Sequence, residues 1–214
     1  MKFISVFLIS LFLISCSTSD NHDGHDHSTA ASNTNAVDHS QMDHGSMDHG
    51  GLKSSPGAAD APRDLQFIDT MIVHHQGALD MAKLVEARAS REELRKFGAA
   101  IIADQDREIT QMKRWRDDWF KDAKPAINME FAGMKEGMGQ MDMKALGELK
   151  GPEFDREFIR QMTLHHQGAV LMSRALLDGA KGDSKPELKK LAEAIITSQN
   201  AEIDQMNKWF SEWK

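Results

Sequence analysis

The 214-residue chain contains a single cysteine, Cys16. One cysteine excludes an intramolecular disulfide, and any soft metal ligand elsewhere in the chain has to be methionine. Positive charge is also scarce: 26 Lys and Arg stand against 33 Asp and Glu, for a net charge of -7. An acidic surface is poorly suited to the phosphates of nucleic acid. It is equally unsuited to docking on anionic lipid headgroups through charge. No window alternates apolar and polar residues strongly enough to suggest a sheet. Long apolar runs are missing too, apart from Phe3 to Ile14. That run falls short of the roughly 20 residues that span a bilayer.

The short run follows Lys2 and ends in Leu13-Ile14-Ser15-Cys16. It reads as a secretory signal peptide over residues 1–15. Its end resembles a bacterial lipobox, in which Cys16 becomes the lipidated first residue of the mature protein. A single-pass anchor is the alternative; length and charged flanks argue against it. The expected location is outside the cytoplasm, on a membrane-anchored lipoprotein facing the periplasm or the cell surface. Without disulfides, stability there has to come from a packed core.

Residues 16–60 are rich in Ser, Asn, Asp, Gly and His and almost free of large apolar side chains. Such a segment buries too little surface to offset its ordering entropy and reads as a disordered tether. Five of its six histidines, His22, His25, His27, His44 and His49, lie in short acidic or Met-containing repeats such as Met42-Asp43-His44-Gly45. They are either weak ligands for divalent ions such as Cu(II) or Zn, or part of a solvated spacer.

Residues 61–214 contain one pattern twice. Met71-Ile72-Val73-His74-His75-Gln76-Gly77-Ala78 recurs as Met162-Thr163-Leu164-His165-His166-Gln167-Gly168-Ala169. An acid and a phenylalanine precede each copy, Asp64 with Phe67 and Asp155 with Phe158, and Met81 or Met172 closes it. Phe67, Met71, His74, Ala78, Met81 and Val85 fall on one face of a helix, as do Phe158, Met162, His165, Ala169, Met172 and Leu176. Each copy has a partner run: Leu94, Ile101, Gln105, Glu108, Met112 and Trp115, then Leu188, Ile195, Gln199, Glu202, Met206 and Trp209. Repeats 64–120 and 155–214 thus predict two helical hairpins, and together an all-α four-helix bundle. The crossover 121–154 is Met-rich; Met134, Met138 and Met141 share a face if it is helical. Gly133, Gly137 and Gly139 weaken that helix, each by about 1 kcal/mol relative to alanine.

At about 100° per residue, His74 projects roughly 60° to one side of Met71 and His75 roughly 40° to the other. Both imidazoles border the buried stripe with a methionine between them, and Met162, His165 and His166 repeat the geometry. Gln105, Glu108, Gln199 and Glu202 sit on the core line of the partner helices. A carboxylate there is costly unless paired, and a facing histidine supplies the pair. Since metal-bound histidines usually donate their other N–H to a carboxylate or carbonyl, these four residues read as supports behind a metal site. The alternative is a bundle with buried His–Glu hydrogen bonds and methionine as ordinary core filler. A di-iron bundle would place Glu three residues before each histidine. Here Met71 and Met162 hold that place, so the donor set favours Cu(I), or its mimic Ag(I), over oxygen-activating iron.

The Phe-x-x-x-Met-x-x-His-His-Gln-Gly-Ala-x-x-Met pattern, with the later Gln-x-x-Glu-Ile-x-x-Met-x-x-Trp, resembles the domain of unknown function 305 family. The resemblance covers nearly all of residues 64 to 214. It implies a ferritin-like fold and a kinship with CopM-like exported copper-binding proteins. The expected activity is non-enzymatic: copper held through Met71, His74, His75 and Met112, and through Met162, His165, His166 and Met206. Met81 and Met172 belong either to the site or only to the core. Tether histidines and crossover methionines would capture metal, and a copper-transfer protein is a further expected partner. A ferritin-like oxidoreductase and a purely structural helical module are the competing readings.

Overall fold

The computed structural model describes residues 52–179 and 184–213. Four long helices dominate: α1 (Arg63–Arg88), α2 (Glu92–Phe120), α5 (Gly151–Gly179) and α6 (Pro186–Glu212). Two short ones, α3 (Met134–Met138) and α4 (Met143–Glu148), lie in the crossover. No strand occurs among the described residues, as the missing alternation predicted. None of these helices is long and apolar enough to cross a membrane.

The helices start and stop for local reasons. α6 opens on Pro186, whose missing N–H costs nothing in the first turn. Asp142 caps α4 by accepting from the Ala145 N–H at 2.8 Å. α5 begins at Gly151, ahead of the repeat boundary at 155. Its added turn buries Phe154, whose ring stacks on Phe158 at 5.9 Å.

α1 and α2 run antiparallel, since Asp69 meets Arg116 at one end while Val85 lies against Gly98 at the other. α5 and α6 do the same: Thr163 bonds Met206, and Arg156 reaches the Trp213 carbonyl. The hairpins then join through α1 and α5, again antiparallel. Arg63 donates to the Ala175 carbonyl, His165 to the His74 carbonyl, and Asp155 accepts from the Ser90 N–H. The duplicated acids lock this arrangement. Asp64 accepts from the Lys185 N–H at 2.8 Å just before α6, and Asp155 accepts from both N–H and hydroxyl of Ser90 just before α2.

The crossover is held close to α1. Ala126 and Asn128 donate their N–H groups to Asp69 and Thr70, and the Asn128 amide donates to Gln66. This tie directs α3 onto α5 and α1. Met141 lies beyond the end of α3, so the face expected to hold Met134, Met138 and Met141 stops at Met138.

The last residues of the segment read as tether are ordered. Ser54 and Ser55 hydrogen-bond to Met129 and Ile127, a short 3-10 turn spans Ala58–Asp60, and Ala58 is buried. The serines here satisfy crossover backbone groups, which composition alone does not reveal. Residues 1–15, read as a signal peptide, Cys16, and His22, His25, His27, His44 and His49 lie outside the described residues.

Candidate metal centre

The two Met-x-x-His-His segments meet where α1 crosses α5. The His74 and His165 rings approach to 3.8 Å between centroids, tilted by 40°. Neighbouring rings within each copy are farther apart, at 6.3 Å for His74 and His75 and 6.2 Å for His165 and His166. The tightest histidine pair therefore spans the two repeats. All four side chains are fully buried, deeper than the stripe edge that single-helix geometry gives. The second hairpin and α3 supply the extra cover.

Each histidine except His74 has one nitrogen fixed by the protein. His75 Nε2 donates to Glu108 Oε2 at 2.7 Å, and His166 Nε2 donates to Glu202 Oε2 at 2.8 Å. His165 Nε2 donates to the His74 carbonyl at 2.9 Å. A neutral imidazole carries one N–H, so donation from Nε2 leaves a lone pair on Nδ1. The Nδ1 atoms of all four histidines, and Nε2 of His74, are buried with no hydrogen-bond partner. An unsatisfied buried polar atom typically costs about 1–3 kcal/mol, so this concentration of them has to be accounted for.

Burial holds the His74 imidazole well below the usual pKa of 6.5, and nearby His75 and His166 push it the same way. Burial also lowers His165, followed by the influence of His74, His166 and His75; its bond to the His74 carbonyl opposes the shift. These two rings are therefore neutral at neutral pH, the form in which imidazole ligates metal.

The methionines divide into two buried clusters, one on each side of the crossing. Met71, Met112, Met134, Met138 and Met172 share one; Met81, Met162 and Met206 share the other. Met141 packs against both. The antiparallel crossing explains the exchange: Met172 of the second copy joins the cluster of Met71 and Met112, while Met81 of the first joins Met162 and Met206. Each predicted thioether except the partly buried Met141 is thus buried in the core, grouped across repeats.

Glycines let the crossover close over the histidines. Gly133, at φ +95°, lies against the Gly168 carbonyl, a backbone geometry and spacing open to glycine. A side chain on Gly137 would strike His74 Nε2, and one on Gly168 would meet Gly137 Cα at 2.5 Å. On the opposite face, Gln105, Glu108, Gln199 and Glu202 line a recess between α2 and α6. Gln105 and Gln199 are buried and the two glutamates only partly so, at 14% and 19% exposure. Among the described residues, no group of three or more His, Cys, Asp or Glu is placed to hold a metal by itself.

Comparisons with known proteins agree with this architecture. Residues 64–213 match the model of the domain of unknown function DUF305. The structure of CopM in its Cu(I)-bound form is similar, with 43% identity over 70% of this chain and 96% of that one and a TM-score of 0.58. CopM in its Cu(II)-bound form gives 44%, 71%, 97% and 0.60. Its silver-bound form, obtained by co-crystallization, gives 42%, 70%, 96% and 0.58. No curated protein matches the chain. With the family pattern running through both hairpins and the histidine crossing between them, the chain belongs to the DUF305 family.

Proposed function

We propose that this protein is an exported, lipid-anchored copper binder, not an enzyme, that holds Cu(I) where α1 crosses α5 and serves copper sequestration, trafficking or tolerance. The observation that carries this reading is the set of buried Nδ1 atoms with no protein partner. Three of the four belong to imidazoles whose Nε2 is already donated to a carboxylate or carbonyl, the arrangement expected behind a metal-bound histidine. With no cluster of three hard or imidazole ligands among the described residues, the remaining donors would be thioethers. Met71, Met112, Met162 and Met206 are the expected ones, with Met81, Met172, Met134, Met138 and Met141 as further candidates. Imidazole plus thioether favours Cu(I) and its mimic Ag(I). CopM, with copper and silver forms, supports the same metal class.

In this reading Glu108 and Glu202 orient and polarise the histidines and do not bind copper directly. Cys16 carries the lipid, and the tether histidines collect metal, including Cu(II) or Zn, for transfer inward or to a protein partner.

Thermal unfolding of the full chain under anaerobic conditions, with and without Cu(I), tests the bundle site. A ligand bound only by the native fold raises Tm by mass action, by about 2.7 kcal/mol of stability at a hundredfold excess over Kd. Copper held only by the histidines that precede the helices leaves the Tm of the helical core where it was, and that result would remove copper from that core.

A further inference from the structure

The recess between α2 and α6 is built from the same short pattern on each helix, Gln105 with Glu108 and Gln199 with Glu202. It encloses about 50 Å³, room for a cation with a few waters, since a cavity holds a water once it offers about 10–15 Å³. Gln105 is only 3% exposed, and neither its carboxamide oxygen nor its nitrogen has a hydrogen-bond partner. Gln199 is 2% exposed, and its Oε1 is likewise unpartnered. Two buried glutamines, one on the core line of each helix, are costly where leucine would be free of that cost. Their oxygens need a donor or a cation.

The carboxylates point to a cation. Glu108 and Glu202 each commit Oε2 to a histidine, which leaves the second oxygen of each for another partner. Arg107, also on the lining, is paired with Asp104 at 2.7 Å. The donor set is therefore two carboxylate and two carboxamide oxygens with net negative charge. Oxygen donors of this kind suit Mg²⁺, Ca²⁺ and Mn²⁺ and are a poor match for Cu(I). Only two of the four are acidic, so such an ion would keep water in its shell.

We infer that the α2–α6 recess is a second metal site, separate from the histidine–methionine centre, which takes one oxygen-preferring divalent cation through Glu108, Glu202 and the side-chain oxygens of Gln105 and Gln199. The inference does not depend on copper binding. An ion there would fasten α2 to α6 and hold the two carboxylates that face His75 and His166.

Mn²⁺ is the probe, added to the copper-free full chain and followed by calorimetry and electron paramagnetic resonance. The wild type should bind one Mn²⁺ per chain beyond what a Gln105→Leu/Gln199→Leu variant binds, and excess Mg²⁺ or Ca²⁺ should displace it. Binding to the tether is common to both proteins and cancels in the comparison. Glu202→Gln, which keeps shape and removes one charge, should weaken the site at least tenfold and decides the matter if the double variant does not fold. Equal Mn²⁺ binding by wild type and a folded variant would mean the recess holds ordered water only, and would overturn the proposal.

Discussion

The two repeats have equivalent sequences but unequal surroundings. Their outer halves match: His75 to Glu108 and His166 to Glu202 are hydrogen-bonded at 2.7 and 2.8 Å. Their inner halves do not. His165 donates to the His74 carbonyl, while His74 has no partner for either ring nitrogen and lies under Gly137. One crossover cannot cover both copies alike, so α3 breaks the symmetry. Gly168 receives the backbone of α3, whereas a side chain on the equivalent Gly77 would first meet the side-chain ends of Met138 and Met141 at 3.2 Å. A duplicated motif therefore supplies paired histidines, and a single insertion gives the pair an inside and an outside.

Substitution at the two glycines tests this contrast most strongly. Gly168→Ala should destabilise by about 2–3 kcal/mol, in the range for overpacking a rigid core, because its Cβ meets Gly137 Cα and N and the Gly133 carbonyl. Gly77→Ala should cost less than about 1 kcal/mol, since methionine ends can shift and alanine favours helix by up to about 1 kcal/mol. Equal urea midpoints for the two variants would dissolve the asymmetry.

The duplicated acids rank second. Asp155→Ala removes a buried carboxylate that accepts two hydrogen bonds, from the N–H and the hydroxyl of Ser90, and should cost about 2 kcal/mol. Asp64→Ala removes a single bond to the Lys185 N–H and should cost about 1 kcal/mol, a typical cap loss. Denaturant melts of both variants check the order.

Acid sharpens the comparison further. His74 and His165 have folded pKa values lowered from 6.5 by burial. Above 6.5 both folded and unfolded chains hold these rings neutral, and their contribution to stability does not change with pH. Below it the unfolded chain takes up protons that the folded core refuses, so stability falls as the pH drops toward the folded values. Urea midpoints of wild type and a folded His74→Phe/His165→Phe variant, measured between about pH 8 and 5, should diverge; parallel curves would show that these rings do not titrate on unfolding.

Glu108→Gln and Glu202→Gln should have the smallest effects on stability, below about 1 kcal/mol and equal within error, because an amide oxygen still accepts from Nε2–H but without charge. Each should weaken Cu(I) binding by about tenfold, the lower range for loss of a group that orients a metal-bound histidine. Unequal losses in a chelator competition would show that the outer halves also differ.

Spacing alone makes much of the molecule legible. The buried faces of α1 and α5 and the approach of Glu108 and Glu202 to the histidines follow from helical period and the cost of an unpaired carboxylate. The His74–His165 contact is not legible there, because a repeat says nothing about how its copies cross. The same holds for Met81 and Met172, which change partners through that crossing. Gly133 and Gly137 carry a visible signal that, by propensity, means only a weakened helix. Their four-residue spacing allows backbone to lie on Gly168, and this places α3 over the site. Phe154 falls outside the repeat boundary, although its position one turn before Phe158 extends the same face.

Copper K-edge X-ray absorption on the anaerobically Cu(I)-loaded full chain tests the central claim most directly. The histidine–methionine assignment predicts a mixed nitrogen and sulfur shell whose nitrogen component falls, with lower copper stoichiometry, in a folded variant with His74, His75, His165 and His166 all changed to alanine. An identical spectrum and identical stoichiometry in that variant would contradict it.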